Sequence, residues 1–144
     1  MTRADLVAFI RRHKWAVVAT VSAAGGPQAA VVGIAVSDDL ELVFDTLGST
    51  RKALNLRRDG RIALVIGWDE EQTVQVEGVA DEPAGAELEE LRRTYFQAFP
   101  DGPTRLSWPG ITYVRVRPSW LRYSDFRGAE PKIVEFDLTR MVGT

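Results

Sequence analysis

The chain contains no cysteine and a single histidine, His13, among its 144 residues. Without cysteine it cannot form disulfide bonds or thiolate metal sites. One histidine argues against a metal site or a catalytic triad built on imidazole groups. Long apolar runs are also missing, since none approaches the roughly 20 residues of a membrane-spanning helix. Residues 1–15 lack the apolar core of a signal peptide. We therefore expect a cytoplasmic protein with no bound metal.

The chain also lacks an excess of charge of either sign. Its 18 lysine and arginine residues oppose 20 aspartate and glutamate residues, which gives a formal net charge of -2. This balance predicts neither nucleic acid nor a membrane as a partner. The length fits one domain, which we predict to span residues 1–144.

Hydrophobic periodicity predicts three helices. Apolar residues at helical spacing begin after Thr2, a helix-capping residue, and continue to His13. Residues 51–58 contain strong helix formers, and Gly60 is expected to end that helix in a left-handed conformation. Residues 84–99 have an amphipathic pattern, so we predict a longer helix there.

Alternating apolar residues and short apolar runs between turn signals predict six or seven strands. They cover residues 15–22, 27–37, 40–46, 61–68, 73–82, 111–126 and 132–138. Gly78 is expected to interrupt the fifth strand, and Pro118 to bend the sixth or divide it in two. Because short turns join most of these strands, we predict a mainly β fold in which helices pack outside an antiparallel barrel.

One stretch of this slightly acidic chain, residues 45–60, is basic. Three hydroxyl residues, Thr46, Ser49 and Thr50, precede Arg51 and Lys52 at a predicted helix start. Free backbone N–H groups, the positive end of the helix dipole and two cations together suit a dianionic phosphate. The residue order is not that of a P-loop. A capped helix with a solvated basic surface explains the same residues equally well, so both interpretations stay open.

A wider pattern surrounds this stretch and consists of Phe44, Thr46, Ser49, Arg51, Lys52, Asp59, Arg61, Trp68 and Gly78. It resembles the signature of the pyridoxamine 5'-phosphate oxidase-like flavoproteins over most of residues 15–126, most specifically in the Ser-x-Arg-Lys block. The resemblance implies a six-stranded antiparallel split β-barrel of the FMN-binding type. It also implies a homodimer with an FMN in each of two clefts at the dimer interface. The biosynthetic oxidase has an arginine at the position of Ala30 and a C-terminal Arg-x-His segment. Because this chain has neither, its vitamin-salvage reaction is not implied.

The resemblance also implies which residues contact the cofactor. Arg51 and Lys52 would hold the phosphate with help from Thr50 and Thr46. Gly33 would allow the flavin ring to approach the strand at residues 30–35. Thr73 or Gln75 would meet the polar edge of the flavin or the phosphate. The implied cofactor-binding residues are Ala30, Val31, Val32, Gly33, Asp45, Thr46, Thr50, Arg51, Lys52, Thr73, Gln75 and Trp120. No catalytic acid or base can be named.

The function implied by the resemblance is that of an FMN-binding oxidoreductase acting on an unnamed small molecule. Two alternatives share the fold: a reductase that uses the deazaflavin coenzyme F420, and a non-catalytic flavin-binding stress or sensor module. Haem is disfavoured because His13 is the only candidate imidazole ligand. Trp68, Trp108 and Trp120 are candidate walls around the ring, although packing in a core or an interface explains each tryptophan better.

Overall fold

The computed structural model describes residues 1–139, in which three α-helices flank an antiparallel sheet. The helices are α1 (Arg3–His13), α2 (Arg51–Arg58) and α3 (Gly85–Ala98), and a short 3-10 helix covers Gly102–Arg105. Eight strands occur in the described residues: β1 (Trp15–Val21), β2 (Pro27–Gly33), β3 (Ala35–Val36), β4 (Leu42–Leu47), β5 (Arg61–Ile66), β6 (Gln72–Asp81), β7 (Ile111–Asp125) and β8 (Lys132–Asp137).

The sheet curls into a half-barrel. Its two end strands, β2 and β3, are consecutive in the chain, so the curl brings the two ends of the sheet close together. Its strand order is β2-β1-β5-β6-β7-β4-β3, and β3 follows β2 directly after Ile34. If β2 and β3 are counted as one interrupted strand, six strands form the barrel. β8 is added beside the second half of β7, whose first half pairs with β4. The prediction of a mainly β, antiparallel split barrel with flanking helices is therefore confirmed.

Alternation along the strands sends one set of side chains into the core. Val18, Leu64, Val76 and Leu121 form one cross-strand row over β1, β5, β6 and β7, and each is at least 98% buried. Burying such residues is the main favourable term in folding. Leu6, Phe9 and Ile10 of α1 join this core, and Thr2 caps α1 through a reciprocal hydrogen bond with Asp5.

The alternate side chains of β2, β1, β5 and β6 form the outer face of the sheet. One row pairs Val31 with Val17, Val65 and Gln75, and the next pairs Ala29 with Ala19, Ala63 and Glu77. Val31, Val65 and Val79 are exposed in the chain. We use the name outer face for Val17, Ala19, Ala29, Val31, Ala63, Val65 and Val79.

Two local predictions were wrong. The strand predicted over residues 27–37 divides at Ile34, because the N–H of Ile34 bonds to the carbonyl of Lys14 and the chain then changes its partner strand from β1 to β4. Gly60 does not adopt the left-handed conformation, and the extended residue Asp59 ends α2. Glycine at position 60 is explained by close approach instead, since a Cβ there would lie 3.0 Å from the carbonyl oxygen of Ala80.

Two other predictions concern β6 and β7. β6 continues through Gly78 as one strand of 10 residues, and the irregularity expected at Gly78 is a shift in the register of β6 against β7 between Glu77 and Gly78, not a break in the strand. β7 continues through Pro118 as one strand of 15 residues. The sequence had left open whether this proline bends the strand or divides it in two.

Candidate functional site

The start of α2 is organised by two threonine hydroxyls. Thr50 is the N-cap: its Oγ1 accepts from the N–H of Ala53 at 3.4 Å and donates to the carbonyl of Leu47 at 2.9 Å. Thr46 Oγ1 lies 2.9 Å from Thr50 Oγ1. These hydroxyls therefore fix the helix start. The N–H groups of Arg51 and Lys52, the first two in α2, have no acceptor within residues 1–139.

Arg51 and Lys52 line a small cleft beside β1 and β2. Its volume is about 130 Å³, and its other lining residues are Val18, Thr20, Gln28, Ala29 and Ala30. Neither cation has an ion-pair partner among the described residues, so both charges are available to an anion. The cleft is smaller than the roughly 300–1,000 Å³ of a typical small-molecule site. A cleft of this volume does not enclose a molecule as large as a flavin nucleotide.

The base of this cleft contains a polar network that the sequence analysis missed. Asn55 is buried on α2 and donates to Thr20 Oγ1 at 3.0 Å and to Gln28 Oε1 at 2.8 Å. Arg58 donates to the carbonyl of Val21 and to Asn55 Oδ1. The network ties α2 to β1 and β2. One feature of the sequence could have revealed this network. An asparagine lies between Leu54 and Leu56 in a predicted helix, where asparagine is unfavourable unless its side chain has a specific hydrogen-bonding role.

Three other predicted site residues lie away from this cleft. Thr73 and Gln75 project from β6 on the same side as the outer face, and Trp120 of β7 pairs with Glu77 in the next row. β5 and β1 separate these strands from β2 in the sheet. The Oγ1 of Thr73 is buried and has no hydrogen-bond partner within the described residues. The chain thus does not bring these residues together with Arg51 and Lys52.

The predicted residues of β2 lie in three environments. Ala30 lines the cleft, Val32 is buried in the core, and Val31 is 61% exposed on the outer face. A Cβ at Gly33 would lie 2.7 Å from the ring of Phe99. Contact with Phe99 of the same chain therefore explains this glycine without a flavin ring.

Asp45 faces away from the cleft and contacts α3 and the 3-10 helix. Its carboxylate accepts from Arg105 Nε at 2.7 Å and from the hydroxyl of Tyr95 at 3.1 Å. Burial and the neighbouring Asp45 carboxylate raise the pKa of Tyr95 above its usual range. These contacts give Asp45 a role in attaching α3 to the barrel. They place no cofactor-binding function there.

The remaining aromatic candidates are partly or largely exposed. Trp68 and Trp108 are each 51% exposed, and the ring of Trp120 lies beside the guanidinium of Arg122. The loop that carries Trp108 touches the turn before α2, because the N–H of Gly48 donates to the carbonyl of Gly110 at 2.8 Å.

Residues 1–139 contain no group of three or more histidine, cysteine, aspartate or glutamate side chains arranged to hold a metal ion. No helix among them combines the length and apolar character needed to cross a membrane.

Comparison with known sequences gives a consistent result. A family model described as pyridoxamine 5'-phosphate oxidase matches residues 2–125. The pyridoxine/pyridoxamine 5'-phosphate oxidase of Bordetella pertussis is 37% identical over 91 residues, which are 62% of this chain and 41% of that protein. The chain therefore spans less than half the length of the curated relatives it matches.

Solved structures share the fold at low sequence identity. A heme binding protein from Mycobacterium smegmatis has a TM-score of 0.81 at 19% identity, covering 95% of this chain and 58% of that one. A pyridoxamine 5'-phosphate oxidase-related, FMN binding protein from Nostoc punctiforme has a TM-score of 0.69 at 12% identity, covering 93% and 87%. A protein related to general stress protein 26, from Clostridium acetobutylicum, has a TM-score of 0.71 at 17% identity, covering 96% of each chain.

Proposed function

Since the chain belongs to the pyridoxamine 5'-phosphate oxidase family, we propose that it binds FMN and works as a flavin-dependent oxidoreductase. The observation that carries this proposal is the start of α2, where Arg51 and Lys52 line a cleft without ion-pair partners in the described chain. The phosphate of FMN is a dianion that such a site suits. A bound flavin would supply the redox chemistry, and the protein would supply binding and orientation.

The residues present fit this cofactor. Arg51 and Lys52 would hold the phosphate by charge, aided by their backbone N–H groups. Thr46 and Thr50 would act indirectly, since their hydroxyls are already engaged in holding the helix start. The buried Oγ1 of Thr73, which lacks a partner in the described chain, is a suitable hydrogen-bonding group for a polar edge of the flavin. The substrate would be a small molecule whose identity is open.

We further propose a homodimer with a cofactor at each of two equivalent interface clefts. One chain offers two partial sites, the cleft at α2 and the group of Thr73, Gln75 and Trp120. In the dimer, the Thr73, Gln75 and Trp120 group of one copy would complete the α2 cleft of the other copy. The apolar outer face supports this arrangement, because exposed apolar surface of this kind commonly marks a site of association.

The proposal is tested by titrating FMN into the wild-type protein and into the double variant Arg51→Ala/Lys52→Ala, with flavin fluorescence as the signal. Hydrogen bonds to charged groups contribute about 1.5–3 kcal/mol each. We therefore expect the double variant to lose at least about a hundredfold in FMN affinity.

The matched control is Arg3→Ala/Arg93→Ala, which removes two exposed cations elsewhere in the chain. This control should bind FMN as the wild type does. An Arg51→Ala/Lys52→Ala protein with wild-type FMN affinity would contradict the phosphate role of α2.

Haem is a second candidate because a neighbour of high structural similarity is a heme binding protein. His13, the only histidine in the chain, would be the imidazole ligand. Its side chain is only 8% exposed, packs 4.3 Å from the ring of Phe9 and lies 3.5 Å from the Asp69 carboxylate. Coordination would disrupt this packing, which favours FMN. A haem titration followed by visible absorbance, in wild type and His13→Ala, separates the two candidates.

Two alternatives concern the same cleft. A reductase using the deazaflavin coenzyme would bind that coenzyme more tightly than FMN. A non-catalytic stress or sensor module would bind FMN but would leave it oxidised when NADH or NADPH is added without oxygen. Rapid reduction of the bound FMN would support the oxidoreductase.

A further inference from the structure

The turn at residues 47–49, which leads into α2, is held from outside by Arg57. The Nη1 of Arg57 donates to the carbonyl of Gly48 at 2.9 Å. Its Nε and Nη2 donate to the two carboxylate oxygens of Glu82 at 2.8 and 2.9 Å. All three guanidinium nitrogens of Arg57 are thus engaged within the chain. Arg57 therefore differs from Arg51 and Lys52, although all three belong to the same basic stretch.

Gly48 is in contact with two other elements. Its N–H donates to the carbonyl of Gly110 at 2.8 Å, so the loop before β7 holds the turn from its other side. A Cβ at position 48 would lie 3.0 Å from Arg57 Nη2 and 3.3 Å from Thr112 Oγ1. The guanidinium can therefore reach the turn closely because residue 48 has no side chain.

The turn at residues 47–49 and the N-cap residue Thr50 are joined through the carbonyl group of Leu47. The N–H and the hydroxyl of Thr50 both donate to the carbonyl of Leu47, which precedes Gly48. A movement of Gly48 would therefore move the Thr50 cap and, with it, the free N–H groups of Arg51 and Lys52. The contact of Arg57 with Gly48 is thus linked, through the adjacent Leu47 carbonyl, to the start of α2.

We propose that Arg57 and Glu82 are positioning residues for phosphate recognition, an inference that rests on the proposed FMN site. They hold the turn at residues 47–49 so that the N–H groups and cationic side chains at the start of α2 face the phosphate. Arg57 is not assigned to the phosphate itself, because three of its five N–H groups, one on each nitrogen, are directed to Gly48 and Glu82.

The solvent exposure of Arg57 and Glu82 allows a role in positioning the phosphate site to be distinguished from a role in global stability. The side chains of Arg57 and Glu82 are 44% and 35% exposed. Ion pairs this exposed to water contribute little to global stability. Removing the pair should therefore change phosphate recognition more than it changes the unfolding temperature.

The experiment measures dissociation constants for FMN and for riboflavin, which has the same ring but no phosphate, together with the unfolding temperature of each apoprotein. For Arg57→Ala we expect FMN to bind about tenfold more weakly and riboflavin to bind as before. The affinity ratio between the two ligands should fall, and the unfolding temperature should stay close to the wild-type value. Arg57→Lys should recover part of the ratio, because an ammonium group can still donate to the Gly48 carbonyl.

Gly48→Ala tests the same contact from the other side, since the new Cβ would displace the guanidinium. It should lower the affinity ratio as Arg57→Ala does. The matched control is Arg61→Ala, which removes a neighbouring exposed ion pair with Asp59 that does not touch the turn. This control should keep the wild-type ratio.

An unchanged ratio in Arg57→Ala would overturn the positioning role, and so would an equal loss of affinity for both ligands. In either case the FMN proposal stands if Arg51→Ala/Lys52→Ala still loses FMN. A wild-type protein that binds FMN no better than riboflavin would overturn the phosphate site itself, and this inference with it.

Discussion

Adjacent residues of β4 have different roles because a strand directs successive side chains to opposite faces. Thr46 points to the cap of α2, where its hydroxyl meets Thr50. Asp45, one residue earlier, accepts hydrogen bonds from Tyr95 and Arg105. The family resemblance implied a cofactor role for both residues. At the scale of single residues, only Thr46 lies beside the proposed phosphate site.

Gly78 is the glycine with the least room for a side chain among those in residues 1–139. A Cβ there would lie 2.5 Å from the carbonyl oxygen of Arg117, in the backbone of the neighbouring strand. We expect Gly78→Ala to lower the free energy of unfolding by about 1–3 kcal/mol, because the backbone of β7 at Arg117 and Pro118 must shift to accept the methyl group. Urea unfolding followed by circular dichroism measures the change.

Gly128→Ala is the control for this substitution. A Cβ at Gly128 meets its nearest atom, the carbonyl oxygen of Glu130, at 3.7 Å, which is ordinary contact. We expect its unfolding free energy to stay within about 0.5 kcal/mol of wild type. Equal stabilities of the two variants would show that the backbone contact at Gly78 is relaxed at no cost.

At the scale of elements, Arg115 connects two strands and a helix. From β7 it donates to the Asp81 carboxylate at the end of β6 and to Glu87 of α3, and its own side chain is only 8% exposed. This hydrogen bonding to Arg115 lowers the pKa of Asp81 below its ordinary value of 3.8. The hydrogen bonds that join Asp81 of β6 to Arg115 of β7 therefore require the ionised carboxylate.

The pH dependence of stability tests this connection. Since the pKa of Asp81 is lower in the folded chain than in the unfolded chain, its contribution is complete above about pH 4 and is lost as pH falls through the folded-state pKa. We expect the unfolding free energy of wild type to fall more steeply between about pH 5 and pH 2 than that of Asp81→Asn. Urea unfolding across that range measures both slopes.

Asp38→Asn, which removes a highly exposed carboxylate, serves as the control and should keep the wild-type slope. If Asp81→Asn has the same slope as wild type, the contact with Arg115 does not stabilise the folded chain.

At the scale of the whole molecule, the outer face is an apolar surface that a single chain leaves exposed to solvent. Its exposed valines surround a row of small alanine side chains on β2, β1 and β5. An apolar surface built from such small side chains can pack closely against a second copy. In the proposed dimer this contact would also bring Thr73 and Gln75 of one chain towards the α2 cleft of the other.

Val31→Arg tests that arrangement, because the substitution would bury a charge in the interface of each copy. We expect it to weaken self-association at least about tenfold and to weaken FMN binding in parallel, since each site would lose the partner's residues. Sedimentation velocity over a range of concentrations measures the first effect, and FMN titration measures the second.

Leu106→Arg changes an apolar residue that is 44% exposed and lies outside the outer face, so it should leave both properties unchanged. A Val31→Arg protein that associates and binds FMN as wild type does would contradict the proposed interface.

Local patterns predicted most of the elements correctly because they depend on the spacing of neighbouring residues. Strand alternation, the helix start at Thr2 and an irregularity near Gly78 are all visible within a few residues. Gly60 was misjudged because the carbonyl of Ala80, which requires a glycine there, is distant in the sequence. The division of β2 from β3 was missed for the same reason, since it depends on Lys14 and β4.

The sequence by itself determined the apolar periodicity, and hence the strands and helices, and it marked the hydroxyl-rich turn into Arg51 and Lys52. The tertiary structure alone decided which polar groups are free to bind and which are already engaged. Arg57 is hydrogen-bonded to Glu82, and Asp45 is hydrogen-bonded to Arg105, which is 60 positions away in the sequence. The spacing of nearby residues cannot reveal such pairs, because partners are chosen by the folding of distant segments onto one another.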